Sequence, residues 1–235
     1  YIIQSQDDTC SAQWRPTHHT LSYDVGGGTG RPPASVNKLE GSRISVSEQA
    51  GVSRSGYVFA GWSDGATIYR PLDNYTLGLN DVTLTAVWTP LYRLTFLYNG
   101  QGNYVSAKSA TQGTPVVLPR PTLVGFAFAG WTCDRAGNLG LQSTYAMQAS
   151  DDTCRAQWAI LRTVVYRAGS GRGSTPTTSR AATGSTFIVA SAYGLSLRGA
   201  TFVGWTDGVT LYQPGDSYGV GDSNVTLTAV FLRST

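Results

Sequence analysis

Three cysteines, two histidines and a scatter of aspartates are the side chains of this 235-residue chain that could ligate a metal, move a proton or carry redox chemistry. His18 and His19 are adjacent, and no other histidine exists to serve a Ser-His or Cys-His nucleophilic pair elsewhere. Metal binding by the pair would need acidic or thiol partners held close by, and none recurs. The pair therefore reads as an exposed linker. Asp7-Asp8, Asp73, Asp81, Asp151-Asp152, Asp216 and Asp222 gather ahead of alternating segments. Their spacing matches no dedicated calcium loop, and turn formation accounts for them without an ion. The Gly-rich runs at 26–30, 99–102 and 169–173 lack a following Lys-Ser/Thr and lead into strands, where a phosphate loop would feed a helix. No acidic pair recurs in a way that suggests a hydrolytic cleft. The sequence predicts no catalytic residue, no cofactor, no metal ligand and no enzyme.

The elements around these residues repeat. Gly56-Tyr57-Val58-Phe59-Ala60-Gly61-Trp62 returns at 125–131 and again at 199–205, each ending in Phe-x-Gly-Trp. Asp81-Val82-Thr83-Leu84-Thr85-Ala86-Val87-Trp88 returns at 151–158, at 224–231 and, with no beginning, at 7–14. A period near 70 residues shifts the expectation from one catalytic centre to an array. The predicted division is the closing strand of an upstream copy (1–14), then copies one (20–90), two (91–160) and three (161–235). The chain thus reads as a slice of a longer protein. Short linkers such as Thr89-Pro90-Leu91-Tyr92 predict a fairly stiff rod, on the order of 80 to 100 Å for three copies.

Alternation predicts mainly strand. In the closing segment Leu84, Ala86 and Trp88 share one face and Thr83, Thr85 and Val87 the other. Thr20–Tyr23, Arg93–Phe96 and Thr163–Tyr166 open the copies with a similar pattern, and the Gly-rich runs after them read as hairpin turns. A second strand is expected to end near Ile44-Ser45-Val46, Val116-Val117-Leu118 and Phe187-Ile188-Val189, followed by one helical turn. The glycine of Phe-x-Gly-Trp marks either a bulge or a close packing of bulky groups on bare backbone. A tyrosine stands thirteen residues before each closing aromatic, at Tyr1, Tyr75, Tyr145 and Tyr218.

All six tryptophans fall on this register. Trp62, Trp131 and Trp205 belong to Gly-Trp; Trp14, Trp88 and Trp158 close a copy, with Phe231 in that place in copy three. They are predicted to be repeat core instead of carbohydrate platforms. Residues outside the register that could recognise a ligand are Tyr57, Arg70, Tyr104 and Tyr193, which no sequence feature joins. Cys133 and Cys154 replace Asp64 with Leu84 and Asp207 with Leu227, so the two positions become Cys together or not at all. This predicts a Cys133–Cys154 disulfide, worth about 3 kcal/mol in a small module, and an oxidising compartment. The rival reading is two buried thiols. Cys10 takes the Cys154 position, and its partner is expected in the missing part of the upstream copy.

Together these motifs resemble the Listeria–Bacteroides repeat, the internalin B-repeat type of module, over residues 20–231. The departures are Cys154 in place of Leu in copy two and Phe231 in place of Trp in copy three. The resemblance implies a small β-grasp-like (α+β) module, found in tandem in secreted or surface-attached bacterial proteins. It implies an adhesion or spacer role with no catalytic residues to carry across.

Charge and hydropathy fit that expectation. A net charge of +3 with scattered basic residues offers no stripe for nucleic acid or anionic lipid. No apolar run is long enough for a membrane helix. The expected function is a non-catalytic extracellular stalk or spacer of a bacterial surface adhesin, attached to the cell surface through regions outside this segment. The alternative is a multivalent module binding a host protein or glycan. The segment is expected to be monomeric.

Overall fold

The computed structural model describes residues 9–99, 105–192 and 194–233. Tyr1, Asp7, Asp8, Tyr104 and Tyr193, singled out above, lie outside the described residues. Every regular element among the described residues is a strand. The fold is mainly β, and the anticipated helical turn is absent there. In copy one its place holds Ala50 and Gly51, both at positive φ (40° and 81°), which no right-handed turn accommodates.

The chain divides into two compact units. One holds the described residues up to Tyr92 with Ser109–Thr114 and Met147–Ala149; the other holds Arg93–Lys108, Pro115–Ala146 and the residues from Ser150 onward. The first contains a five-stranded sheet. Its order is the return strand Val36–Leu39, the opening strand His18–Asp24, the closing strand Val82–Pro90, the Gly-Trp strand Tyr57–Ser63 and a hairpin strand Ile68–Tyr69. Opening and closing strands are parallel central neighbours, with Leu21 opposite Val82 and Tyr23 opposite Leu84. The other pairings are antiparallel.

Two expected boundaries differ. His18 and His19 belong to the opening strand, opposite Leu39 and Lys38, and not to a linker. The second strand stops at Leu39 instead of running to Val46, because the chain turns at Gly41 with φ 75°. It restarts as Arg43–Ser45, which pairs with Asn74–Thr76 and carries Ile44 and Tyr75 onto the core.

In the second unit a single strand of sixteen residues, Asp152–Arg167, closes copy two and opens copy three. Its first part lies parallel to the opening strand Tyr92–Leu97 and antiparallel to the Gly-Trp strand Phe126–Cys133. Its second part lies parallel to the closing strand Val225–Arg233 and antiparallel to Ser179–Ala182. Residues expected to form a linker are therefore sheet. At the join, Leu161 N donates to Gly125 O and Ile160 O accepts from Thr183 N, both at 2.8 Å, so backbone groups there are satisfied from both copies.

Each core is centred on the Gly-Trp indole. Trp62, Trp131 and Trp205 are each 0% exposed. The register slips between Phe59 and Gly61, between Phe128 and Gly130, and between Phe202 and Gly204, so each glycine forms a bulge. It is also a close backbone approach. With φ of 147°, 121° and 149°, an added Cβ would lie 2.5 Å from Tyr69 O, 2.1 Å from Gly140 O and 2.6 Å from Tyr212 O. Both alternatives left open by the sequence hold at once.

Close aromatic contacts, edge-on except for the tilted Phe96–Trp131 pair, repeat outward from each indole. In copy one the ring centroids of Tyr23–Trp62, Phe59–Trp62 and Phe59–Trp88 are 4.8, 5.1 and 5.5 Å apart. Copy two repeats the run through Phe96, Trp131, Phe128 and Trp158, and copy three through Tyr166, Trp205, Phe202 and Phe231. The closing aromatics Trp88, Trp158 and Phe231 are half-buried at the rim of this run. Trp88 covers Gly28 and Phe231 covers Gly171, where a Cβ would meet the ring at 2.7 and 2.6 Å. Trp14, expected in the core, is instead 89% exposed, and residues 9–14, expected as a closing strand, form no regular element because no described strand pairs with them.

Gly204→Ala is expected to lower stability by about 2 kcal/mol or more, since the methyl group meets a carbonyl in a backbone region that L residues avoid. Urea unfolding followed by tryptophan fluorescence measures this. A loss below roughly 0.5 kcal/mol, the range of neutral surface changes, would contradict the close-approach reading.

Candidate functional site

The polar side chains with the most partners gather where the Gly-Trp strand turns into its hairpin. In copy one, Asp64 Oδ1 accepts from Ala66 N and Thr67 N at 2.9 and 2.8 Å, and Oδ2 accepts from the Tyr69 hydroxyl at 3.1 Å. Tyr75 stands edge-on to Tyr69, centroids 5.2 Å apart. In copy three, Asp207 Oδ1 accepts from Val209 N and Thr210 N, and Oδ2 from Tyr212 and Tyr218, each hydroxyl at 3.4 Å. The loop amides hold both carboxylates below the ordinary carboxylate value. Burial, and then the nearby aspartate, raises Tyr75 and Tyr218.

Copy two makes the same junction differently. Cys133 and Cys154 face each other across the antiparallel pair and are joined by a disulfide. The carboxylate comes from the neighbouring strand. Asp152, only 4% exposed, accepts from Arg135 N at 3.0 Å, Ala136 N at 3.3 Å, Thr153 N at 2.8 Å and the Tyr145 hydroxyl at 2.9 Å. Burial, reinforced by that hydrogen bond, pushes Tyr145 up to about 12. Asp152 is thus a buried strand residue, and not the turn former expected from its place among the acidic segments. The signal was in the register, where Asp152 stands in the place of Val82 and Val225, an acid on a buried strand position.

This arrangement is structural chemistry. All the donors around Asp152 saturate its two oxygens, which leaves no lone pair aimed at a substrate. Cys133, Asp152 and Cys154 place one potential metal-ligand atom each within 4.8 Å of one another, yet the two sulfurs are bonded together and offer no thiolate. A groove of about 420 Å³ lined by Asp134, Arg135, Asp151, Asp152 and Thr153 opens beside it. Asp134, one of the lining residues, pairs with Arg155.

Several other aspartates, and Asn224, accept from backbone amides. Asp81, Asp151 and Asn224 accept from the opening strands at Thr20 N, Arg93 N and Thr163 N, at 2.7, 2.8 and 2.9 Å. Asp73 and Asp216 close turns on Arg70 N and Gln213 N, each at 2.7 Å. His19 Nδ1 lies 3.8 Å from Asp81 Oδ1. Tyr57 lies under the Arg54 guanidinium at 4.0 Å, and Arg70 is exposed at the end of the hairpin strand. Cys10 is an exposed free thiol. In copy three a groove of about 460 Å³ is lined by Arg172, Ser196, Leu197 and Arg198.

A family model described as the Listeria–Bacteroides repeat domain matches residues 19–87 and 92–156. A Gly-rich protein of Evansella cellulosilytica, named a membrane protein, is 32% identical over 141 residues, covering 57% of this chain and 16% of its own length. A second protein of that organism, also named a membrane protein, is 32% identical over 91 residues, covering 37% of this chain and 14% of its own. The matched region is thus a small part of each relative. Among solved structures, tandem domains 3 and 4 of a streptococcal cell-surface repeat protein share 13% identity and cover 60% of this chain and 96% of their own, with a TM-score of 0.20. A likeness that low carries no argument.

The depressed carboxylates make a pH prediction. A carboxyl held below its unfolded value of 3.8 contributes stability that is present above that value and lost as pH falls through the folded one. Asp64→Asn with Asp207→Asn is therefore expected to shrink the drop in urea midpoint between about pH 5 and about pH 2. Equal drops in parent and variant would show that these two acids do not contribute.

Proposed function

Because the chain belongs to the Listeria–Bacteroides repeat domain family, we propose that it is a non-catalytic extracellular repeat region serving as a semi-rigid stalk or spacer of a bacterial surface adhesin. One observation carries this reading. In every copy the opening and closing strands are parallel neighbours at the centre of the sheet. The chain enters a copy at one end of that pair and leaves at the other. Tension then slides the two strands along each other and loads their hydrogen bonds together instead of one at a time.

The division into copies at 20–90, 91–160 and 161–235 is supported by the recurrence of this pair. The β-grasp kinship is supported by the same parallel pair with antiparallel flanks, although no helix accompanies it among the described residues. A location outside the cell is supported by the Cys133–Cys154 bond. Attachment to the cell surface is assigned to regions beyond this segment, which needs no partner to do its work.

The second reading, contact with a host protein or glycan, is favoured by the arginine-lined groove of copy three. Arg172 pairs with Ser196 as Thr29 pairs with Ser53 in copy one, so Thr29 and Ser55 occupy the arginine positions there. A site that does not recur gains nothing from copy number. The stalk is the better conclusion.

Titrating the 235-residue chain over immobilised matrix proteins and a glycan panel separates the two. No saturable binding is expected. Saturable binding that Arg172→Ala with Arg198→Ala abolishes would replace the stalk with the second reading.

A further inference from the structure

In all three copies a carboxylate takes the first free amides of the hairpin loop and a tyrosine hydroxyl, but its origin differs. In copies one and three it is the loop's own residue, Asp64 or Asp207. In copy two it is Asp152, reaching across from the closing strand to Arg135 N, Ala136 N and Tyr145. The strand registers make the exchange explicit. Cys133 lies opposite Cys154 where Asp64 and Asp207 sit beside the strand positions of Leu84 and Leu227. Gly140, opposite Trp131, takes the place of Tyr69, opposite Trp62, and of Tyr212, opposite Trp205. Asp152 takes the place of Val82 and Val225, beside Leu94 where those lie beside Leu21 and Val164.

We propose that residues 133, 152 and 154 form one exchangeable unit: each copy carries a single carboxylate clasp for its hairpin, built either from the loop or from the closing strand. The disulfide occupies the space that the loop aspartate vacates. The clasp needs one acid. With none, two loop amides and the buried tyrosine hydroxyl lose their acceptor. With two, like charges share one poorly solvated site. Copy two is then the member whose hairpin is anchored covalently as well as by charge, and reduction removes the covalent part alone. The same Asp-x-Cys spacing stands at Asp8 and Cys10 in the sequence.

The three positions are consequently non-additive, which a cycle of variants in the full chain measures. All chains are compared under dithiothreitol, which takes both sulfurs to thiols while it closes to its own cyclic disulfide. The readout is hydrogen exchange of peptides covering residues 126–160. The reduced parent (one acid, Asp152) and the triple variant Cys133→Asp/Asp152→Val/Cys154→Leu (one acid, at 133) are expected to be protected alike. Asp152→Val (no acid) and Cys133→Asp/Cys154→Leu (two acids) are expected to exchange on the order of tenfold or more faster. A triple variant as fast as Asp152→Val, or a two-acid variant as slow as the parent, overturns the proposal. The converse transplant, Asp64→Cys/Val82→Asp/Leu84→Cys in copy one, guards against a variant of copy two that fails to fold. Thiol labelling without reductant is expected to find both introduced cysteines protected as a new disulfide. Two labelled thiols with the copy-one core intact by tryptophan fluorescence would also overturn it.

Discussion

An indole buried to the last atom brings a polar N–H into an apolar core, and that N–H must find an acceptor. The rest of each copy is arranged around this requirement. Trp62, Trp131 and Trp205 donate to Ser47 O, Pro119 O and Ala190 O at 2.9, 2.9 and 2.8 Å. Those carbonyls are delivered by the segment that follows each short outer strand. The strand bearing the indole can turn it inward only by slipping its register at the preceding glycine. The bulge, the bare glycine backbone and the hairpin carbonyl that closes on it are one constraint seen from three sides.

The same carbonyl residue shows how closely polar groups are matched. Ser47 N and Ala190 N donate to the Tyr23 and Tyr166 hydroxyls at 3.0 and 2.9 Å. In copy two that residue is Pro119, which has no N–H, and the facing aromatic is Phe96, which has no hydroxyl. Donor and acceptor disappear together, so nothing buried is left unpaired. The hairpin carboxylates follow the same logic. At these positions the polar atoms are placed to close the fold.

Much of this was legible in the chain. Closing strands showed in the alternation of Leu84 and Ala86 with threonines, and the indole cores in the spacing of Gly and Trp. Asp152 was legible too, as an acid at a valine position, although its neighbour Asp151 gives the pair the look of a turn. Other features were not legible. Whether the glycine bulges or is crowded depends on a carbonyl several residues further on, so no local pattern distinguishes the two. The short stretch after Val46, Ser47-Glu48-Gln49-Ala50-Gly51, has no period to reveal its shape, and left-handed Ala50 carries no sequence mark. The continuous strand across Ala159-Ile160-Leu161 was hidden by expecting a linker. The absence of Gly, Pro and Asn there was the available clue, and Pro90 stands at the matching place after copy one.

A structural role makes one demand above all, that each copy resist being drawn out along the chain. Single-molecule extension of the 235-residue chain, held at its ends, tests this most directly. Shear of the parallel opening and closing strands is expected to give discrete high-force events, since forced unfolding reports the barrier rather than the equilibrium. One event should release less chain than the others because the disulfide encloses a separation of 21 residues, and reductant should restore the missing length. Smooth extension at low force, without separate events, would contradict the account of this protein as a stalk.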